Sequence, residues 1–230
     1  MNVPDSLPPG AAIPRHYHAQ PYATLVLSGG YEEAGDHGRF RVGAGDVLFH
    51  GPFSAHQDRV ASRATSVLDL PLPLDGRAWI ARGRVADPDA VARLAERDAA
   101  DAVTALIAST TSAAAREADL PDLLAQALAA DPSVSIAGWA ARHGYARETV
   151  SRAFTRAYGI DAAAYRLEAR TREGWRRIVA TRDPLAGIAA ETGFADQAHM
   201  TRAVTRLTGR PPGWWRRAVT SVQDGNCPTA

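Results

Sequence analysis

One segment of the chain occurs twice, and that duplication constrains the fold more than any other feature. SRAFTRAYG, at Ser151 to Gly159, returns as TRAVTRLTG, at Thr201 to Gly209. Widening the window aligns IAGWAARHGYARETVSRAFTRAYGIDAAAYR, from Ile136, with LAGIAAETGFADQAHMTRAVTRLTGRPPGWWR, from Leu185. The offset is 49 up to the triplets Gly144-Tyr145-Ala146 and Gly193-Phe194-Ala195 and 50 after them. Residues 131–218 are therefore expected to hold two copies of one small helical unit. In each copy a short helix ends at Gly144 or Gly193 and a second begins two or three residues later, the pattern of a helix-turn-helix.

Residue types within the copies agree with that reading. Ala140 and Ala189 precede the glycines by four positions, where a small side chain lets two helices cross closely. The glycines supply the positive φ of a tight turn. Tyr145 or Phe194, with Phe154 or Val204, are expected to plug the core beneath the second helix, and Ser133 or Ser135 to cap the first helix of the unit. Between the copies, Ala162 to Ala180 forms helix, with Tyr165, Trp175, Ile178 and Val179 available for burial. A rod of about 18 residues spans about 27 Å, close to the ~34 Å between successive major grooves on one face of B-DNA. Trp139, Tyr165, Trp175 and Trp215 read as core.

The formal net charge of +1 conceals an asymmetry. Residues 1–130 hold 11 arginines against 16 acids, whereas residues 131–218 hold 15 against 8, and the chain has no lysine. The C-terminal half thus suits a polyanion, and guanidinium is the side chain best shaped for bidentate contact with phosphate or guanine. A helical scaffold would not require polar residues at matching positions of both copies.

Residues 131–217 resemble the DNA-binding domain of the AraC/XylS family of bacterial transcription regulators. The second copy, GFADQAHMTRAVTRLTGRPPGWWR, carries the more specific half, close to the family pattern G-F-x-D-Q-S-H-F-x-R-x-F-[KR]-x-x-x-G-x-[ST]-P-x-x-[YW]-R. It departs from that pattern at Ala198, Met200, Val204 and Pro211, and Ala146 stands where the first recognition helix normally has a serine cap. The resemblance implies recognition helices over Arg147 to Tyr158 and Asp196 to Thr208. By position it makes Glu148, Ser151 and Arg152, then Gln197, Thr201 and Arg202, candidates for base contact. Arg pairs with guanine, Gln with adenine, and Glu accepts from cytosine. Arg147 and His199 are expected to touch phosphate or frame their helices, and Arg156 and Arg206 to meet phosphate or solvent.

The first 80 residues read as short strands punctuated by Gly, Pro and Asp: TLVLSG at 24–29, GRFRVGAGDVLFHG at 38–51 and RATSVLDLPL at 63–72. Gly45-Asp46 fits a tight turn entering a strand. Five of the seven histidines fall within the first 56 residues: His16, His18, His37, His50 and His56. His16 and His18 alternate along a strand so that both imidazoles face one way, and His56 completes a trio suited either to a divalent metal or to a ligand pocket. RHYHAQPYATLVLSG followed by GRFRVGAGDVLFHGPFSAH resembles the small cupin-type sensor barrel common in this regulator family. Tyr22 occupies the position where a cupin metal site usually has a glutamate, which weighs against an enzyme.

From Pro88 the pattern turns helical. Val91, Leu94, Val103, Leu106 and Ile107 are compatible with one helical face, and LPDLLAQALAA forms a further helix capped by Asp119 with Pro121 in its first turn. The expected fold class is α+β and multidomain: a cupin-like sensor barrel over residues 1–85, a helical connector over 86–130 with a part in dimerisation, an all-α double helix-turn-helix domain over 131–218, and a flexible tail over 219–230. The one cysteine, Cys227, allows no disulfide framework, and the N-terminus MNVPDSLPPG has no leader character. A cytoplasmic location is expected. Expected partners are double-stranded promoter DNA, a small-molecule effector, a second copy of the chain and, for an activator, RNA polymerase; no membrane is involved. Two other readings are a metal-dependent cupin enzyme with a helical appendage and a helical scaffold for protein partners.

Overall fold

The protein is described here as a computed structural model covering residues 4–73, 80–113, 117–131 and 133–223, with side chains to Ala218. Pro132 and Cys227 lie outside the described residues. Two units emerge: residues 1–122 with 153–159, and residues 123–152 with 160–230.

The first unit is built from two antiparallel sheets. Strands β1 (Asp5–Leu7), β2 (Ala12–Tyr17), β3 (Tyr22–Ser28), β4 (Gly30–Gly35), β5 (Gly38–Gly43), β6 (Asp46–His50), β7 (Ala55–Val60), β8 (Thr65–Pro71) and β9 (Arg82–Arg84) precede helices α1 (Pro88–Ala95) and α2 (Ala99–Ser109) and the short β10 (Thr111–Ser112). One sheet runs β1-β8-β3-β6-β9-β10 and the other β2-β7-β4-β5. The three strand stretches read from the sequence fall on β3, on β5 with β6, and on β8. Strands β2, β4 and β7 lack a long apolar run: β2 has no buried residue, and the buried positions of β4 and β7 include Glu33 and His56.

Alternation along the strands assigns the two faces of the larger sheet. Ala23, Leu25, Val47, Phe49, Leu68 and Leu70 pack with Val91, Val103 and Leu106 of α1 and α2. Val26, Leu48 and Val67, one residue out of phase, pack with Tyr31, Val42 and Val60 of the other sheet. β3 is therefore covered on both faces, which explains its unbroken apolar sequence. At the β5–β6 turn Gly45 has a φ of 85°, and a Cβ there would meet the Val85 carbonyl oxygen at 2.9 Å. Asp46 closes that turn by accepting from the Gly43 amide at 2.9 Å.

Two expectations change here. The segment after Pro88 forms two helices, because Asp98 caps α2 by accepting from the Ala100 and Asp101 amides and so interrupts the single face. Val91, Val103 and Leu106 pack on the sheet, so this pair is part of the sandwich core. Ala153–Gly159 belongs with this unit: Tyr158 Oη donates to buried Asp122 at 3.0 Å, and Gln57 Nε2 donates to the Ala157 carbonyl at 2.9 Å.

The remaining elements are α3 (Leu120–Ala130), α4 (Ile136–Arg142), α5 (Arg147–Tyr158), α6 (Ala162–Ala180), α7 (Leu185–Glu191), α8 (Gln197–Thr208) and α9 (Pro212–Gln223). Asp119 and Asp122 accept reciprocally from each other's amides at 3.4 Å at the start of α3, as expected of a cap at Asp119. Ser135 caps α4, whereas Ser133 binds Asp131. α6 has the expected limits and serves as the spine against which α7, α8 and α9 pack. Trp175 and Trp215 meet edge to face at 5.5 Å, and Trp215 Nε1 donates to Thr208 Oγ1. Residues 219–223, expected in a flexible tail, continue α9. Among the described residues no helix is long and apolar enough to cross a membrane.

Candidate nucleic-acid interface and buried histidine chamber

The two copies form the same turn. Gly144 and Gly193 have φ of 75° and 76°. The Tyr145 amide donates to the Ala140 carbonyl at 3.0 Å, and the Phe194 amide to the Ala189 carbonyl at 2.9 Å. Both alanines are buried, and α7 packs onto α8 with no bulky side chain at Ala189. Beneath α5 lie Val150, Phe154 and Tyr158, and beneath α8 lie Met200 and Val204, at the four-residue spacing of one helical face. The expected equivalence fails at one position. Phe194 is buried against the core, but Tyr145 is 48% exposed and plugs nothing.

The recognition helices begin differently. Asp196 accepts from the His199 amide at 2.6 Å and caps α8. Ala146, at the matching position, has no side-chain oxygen, so α5 starts on backbone bonds from Thr149 and Val150 to its carbonyl. In the first turns beyond those starts, Arg147, Glu148 and Arg152 of α5, with Gln197 and Arg202 of α8, are exposed; Ser151, Thr201 and His199 are half-buried. The His199 ring stands edge-on to Phe194 at 5.2 Å, a framing position.

The arginines divide into two groups. On α6 they serve the fold: Arg166 donates to the Val134 carbonyl, Arg172 faces Glu168, and Arg177 pairs with Glu173 and Glu191. Arg147, Arg152 and Arg156 on α5, and Arg202 and Arg206 on α8, make no ion pair among the described residues. Uncompensated guanidinium groups beside two helix N-termini suit a polyanion.

The other site lies between the two sheets of the first unit. Val26 and Val67, Leu48, Tyr31 and Val60 point inward, so by the two-residue period Thr24 and Tyr22, Asp69, His50, Glu33, and Asp58 and His56 point inward as well. One end of the interior is apolar and the other is a polar chamber. Tyr22 Oη lies 3.2 Å from His56 Nε2, and the Tyr22 ring stacks on His50 at 4.5 Å. His16 and His18 join from β2 and the turn after it, with ring centroids 4.3 and 6.0 Å from His56. The structure thus brings the sequence-predicted trio together: His16, His18 and His56 each offer a ligand atom within 4.8 Å of the others. Glu33, His50 and His56 do the same and are all buried. His37, also in the histidine-rich segment, belongs to neither group.

Burial governs charge in this chamber. It depresses His50 to about 3 and His56 to about 2, with neighbouring histidines adding to the effect. It raises Asp58 to about 7 and lifts Glu33 well above the usual carboxylate range, with Asp58 reinforcing the shift. The 3.6 Å approach of His50 Nε2 to Glu33 Oε2 thus lies in surroundings that disfavour the charged form of each partner. Glu33 and His50 escaped the sequence reading as site residues, although their two-residue offsets from Tyr31 and Leu48 were the available signal.

Residues 139–218 match the family model described as a helix-turn-helix domain. No curated protein matches the chain. Among solved structures, the C-terminal domain of AraT, a response regulator from Geobacillus stearothermophilus, is 18% identical, covering 45% of this chain and 88% of that one, with a TM-score of 0.42. ToxT from Vibrio cholerae, with an unsaturated fatty acid bound, is 9% identical over 94% of each chain, with a TM-score of 0.43. A cupin protein from Bacteroides fragilis is 26% identical, covering 34% of this chain and 68% of that one, with a TM-score of 0.29. With the same turn formed twice within the matched region, residues 139–218 are a helix-turn-helix domain, which supports a DNA-binding transcription regulator.

Proposed function

We propose that the protein regulates transcription by placing the N-terminal turns of α5 and α8 in two adjacent major grooves of promoter DNA. Arg147, Glu148, Ser151 and Arg152 form one reading set, and Gln197, His199, Thr201 and Arg202 the other. Arg156 and Arg206 lie one turn further along and meet phosphate. The observation that carries this reading is the pair of recognition helices with exposed arginines at matching positions, Arg152 with Arg202 and Arg156 with Arg206, that the fold does not use. Association is electrostatic at first; specificity then comes from base edges. The barrel, assigned to residues 1–85, senses a small effector in the chamber beside His16, His18 and His56, and its occupancy changes DNA affinity. The working form is a homodimer in the cytoplasm, and an activating complex also touches RNA polymerase.

The test is selection from fragmented genomic DNA of the source organism at near-physiological salt, followed by sequencing of the retained fragments. Enrichment of a site with two half-elements about one helical turn apart is the expected result. Retention of all sequences alike, lost on raising the salt, would reduce the domain to a non-specific basic surface.

A further inference from the structure

We propose that Glu33, His50 and His56 are the ligands of one divalent first-row transition-metal ion, held between the two sheets of the barrel. This deepens the reading of the chamber as a sensor; it is independent of DNA recognition.

Three observations carry it. The first is convergence: Glu33 on β4, His56 on β7 and His50 on β6 come from both sheets, are all buried, and offer donor atoms within 4.8 Å of one another. His50 Nε2 and Glu33 Oε2 are 3.6 Å apart, too far for a hydrogen bond. Two ligands at ~2.0–2.1 Å from a tetrahedral ion lie about 3.4 Å apart, so a cation between them requires little movement.

The second is unspent bonding capacity. His50 Nε2, His56 Nδ1 and Asp58 Oδ1 are buried without a hydrogen-bond partner. Buried polar atoms are seldom left so, and each imidazole keeps a nitrogen available to a ligand. His56 is also held from its other nitrogen by the Tyr22 hydroxyl, the kind of outer contact that fixes a metal-binding histidine. Tyr22, standing where a cupin would carry a carboxylate, therefore orients the site while Glu33 supplies the anionic oxygen from a neighbouring strand.

The third is a conflict that a cation removes. Glu33 and Asp58 are paired directly across β4 and β7 and share the inward face. Two acids opposite each other on one buried face oppose sheet pairing. Buried charges are tolerated when paired or bound to a metal. Two nitrogens and one carboxylate oxygen with positions left open suit Zn2+, Fe2+ or Co2+ rather than Ca2+ or Mg2+. The trio of His16, His18 and His56, in which only His56 is buried, offers no carboxylate, and the chamber's acid pair stays unrelieved with a cation there.

Co2+ serves as the probe. Full-length protein is stripped with a chelator, dialysed and titrated, with uptake read from visible absorption and from metal content per chain, without DNA. One Co2+ per chain, displaced by Zn2+, is expected. Glu33→Gln and His50→Gln should each weaken Co2+ binding at least about tenfold, Glu33→Asp should retain part of the affinity, and His18→Gln should leave it within about threefold. Near-UV circular dichroism of each metal-free variant establishes that it is folded, and DNA binding measured separately reports the other domain. No stoichiometric uptake by the wild type would overturn the proposal. So would wild-type uptake by folded Glu33→Gln and His50→Gln, or loss of uptake only in His16→Gln and His18→Gln, which would move the ion to the trio of His16, His18 and His56.

Discussion

At the scale of single residues, side chains that serve the fold and those left over for a ligand have different chemistry even where both are arginine. Arg177 is held by Glu173 and Glu191, so its charge is spent inside the domain. Arg202 is exposed one turn into α8 and has no acid beside it. Replacing Arg202 with alanine is expected to weaken binding at one half-site by roughly 1–3 kcal/mol and to relax its sequence preference. Arg206→Ala should instead weaken all sequences alike and reduce the salt slope of log K by about 1. Both outcomes are read from binding isotherms over a salt series. Gly144 permits a cleaner backbone test. Its φ is 75° and a Cβ there would meet nothing within 4 Å, so Gly144→Ala should cost about 1–2 kcal/mol from the left-handed backbone alone. Chemical denaturation measures it.

At the scale of elements, the duplicated segment shows which parts of a helix-turn-helix are set by sequence and which by context. Ala140, Gly144 and Phe154, with Ala189, Gly193 and Val204, were legible because spacing alone fixed their places. Tyr145 was not legible: it shares its register with buried Phe194 yet remains exposed. The capping difference is testable from both sides. Asp196→Ala should destabilise the domain by about 1 kcal/mol, and Ala146→Asp should stabilise the first unit of the pair by up to about 1 kcal/mol, both measured as shifts in thermal unfolding. Strands show a similar split. β3 and β8 were readable from apolar runs, whereas β4 and β7, whose inward positions include Glu33, His56 and Asp58, resemble loops in composition. That camouflage also hid half of the chamber, because polar residues pointing inward break the alternation from which burial is inferred.

At the scale of the whole molecule, the punctuated apolar stretches between residues 24 and 72 and the duplicated, arginine-rich segment were enough to read a β-rich half followed by a helix-turn-helix half. The packing of the connector was not legible for a physical reason. A helical pair with one apolar face looks the same whether that face meets another chain or the chain's own sheet. Val91, Val103 and Leu106 complete the sandwich. Leu106→Ala should accordingly cost about 2–5 kcal/mol in the stability of the first unit, seen in denaturation curves, without changing oligomeric state in sedimentation.

The central claim is that two helices of one chain read two half-elements separately. The most direct measurement is the affinity of wild type, Arg152→Ala and Arg202→Ala for the selected site and for versions of it with one half-element scrambled. Each variant should be insensitive to scrambling of a different half-element while still responding to the other. If both variants respond alike to either scrambled half, or bind as the wild type does, α5 and α8 are not independent readers, and the account of this domain is wrong.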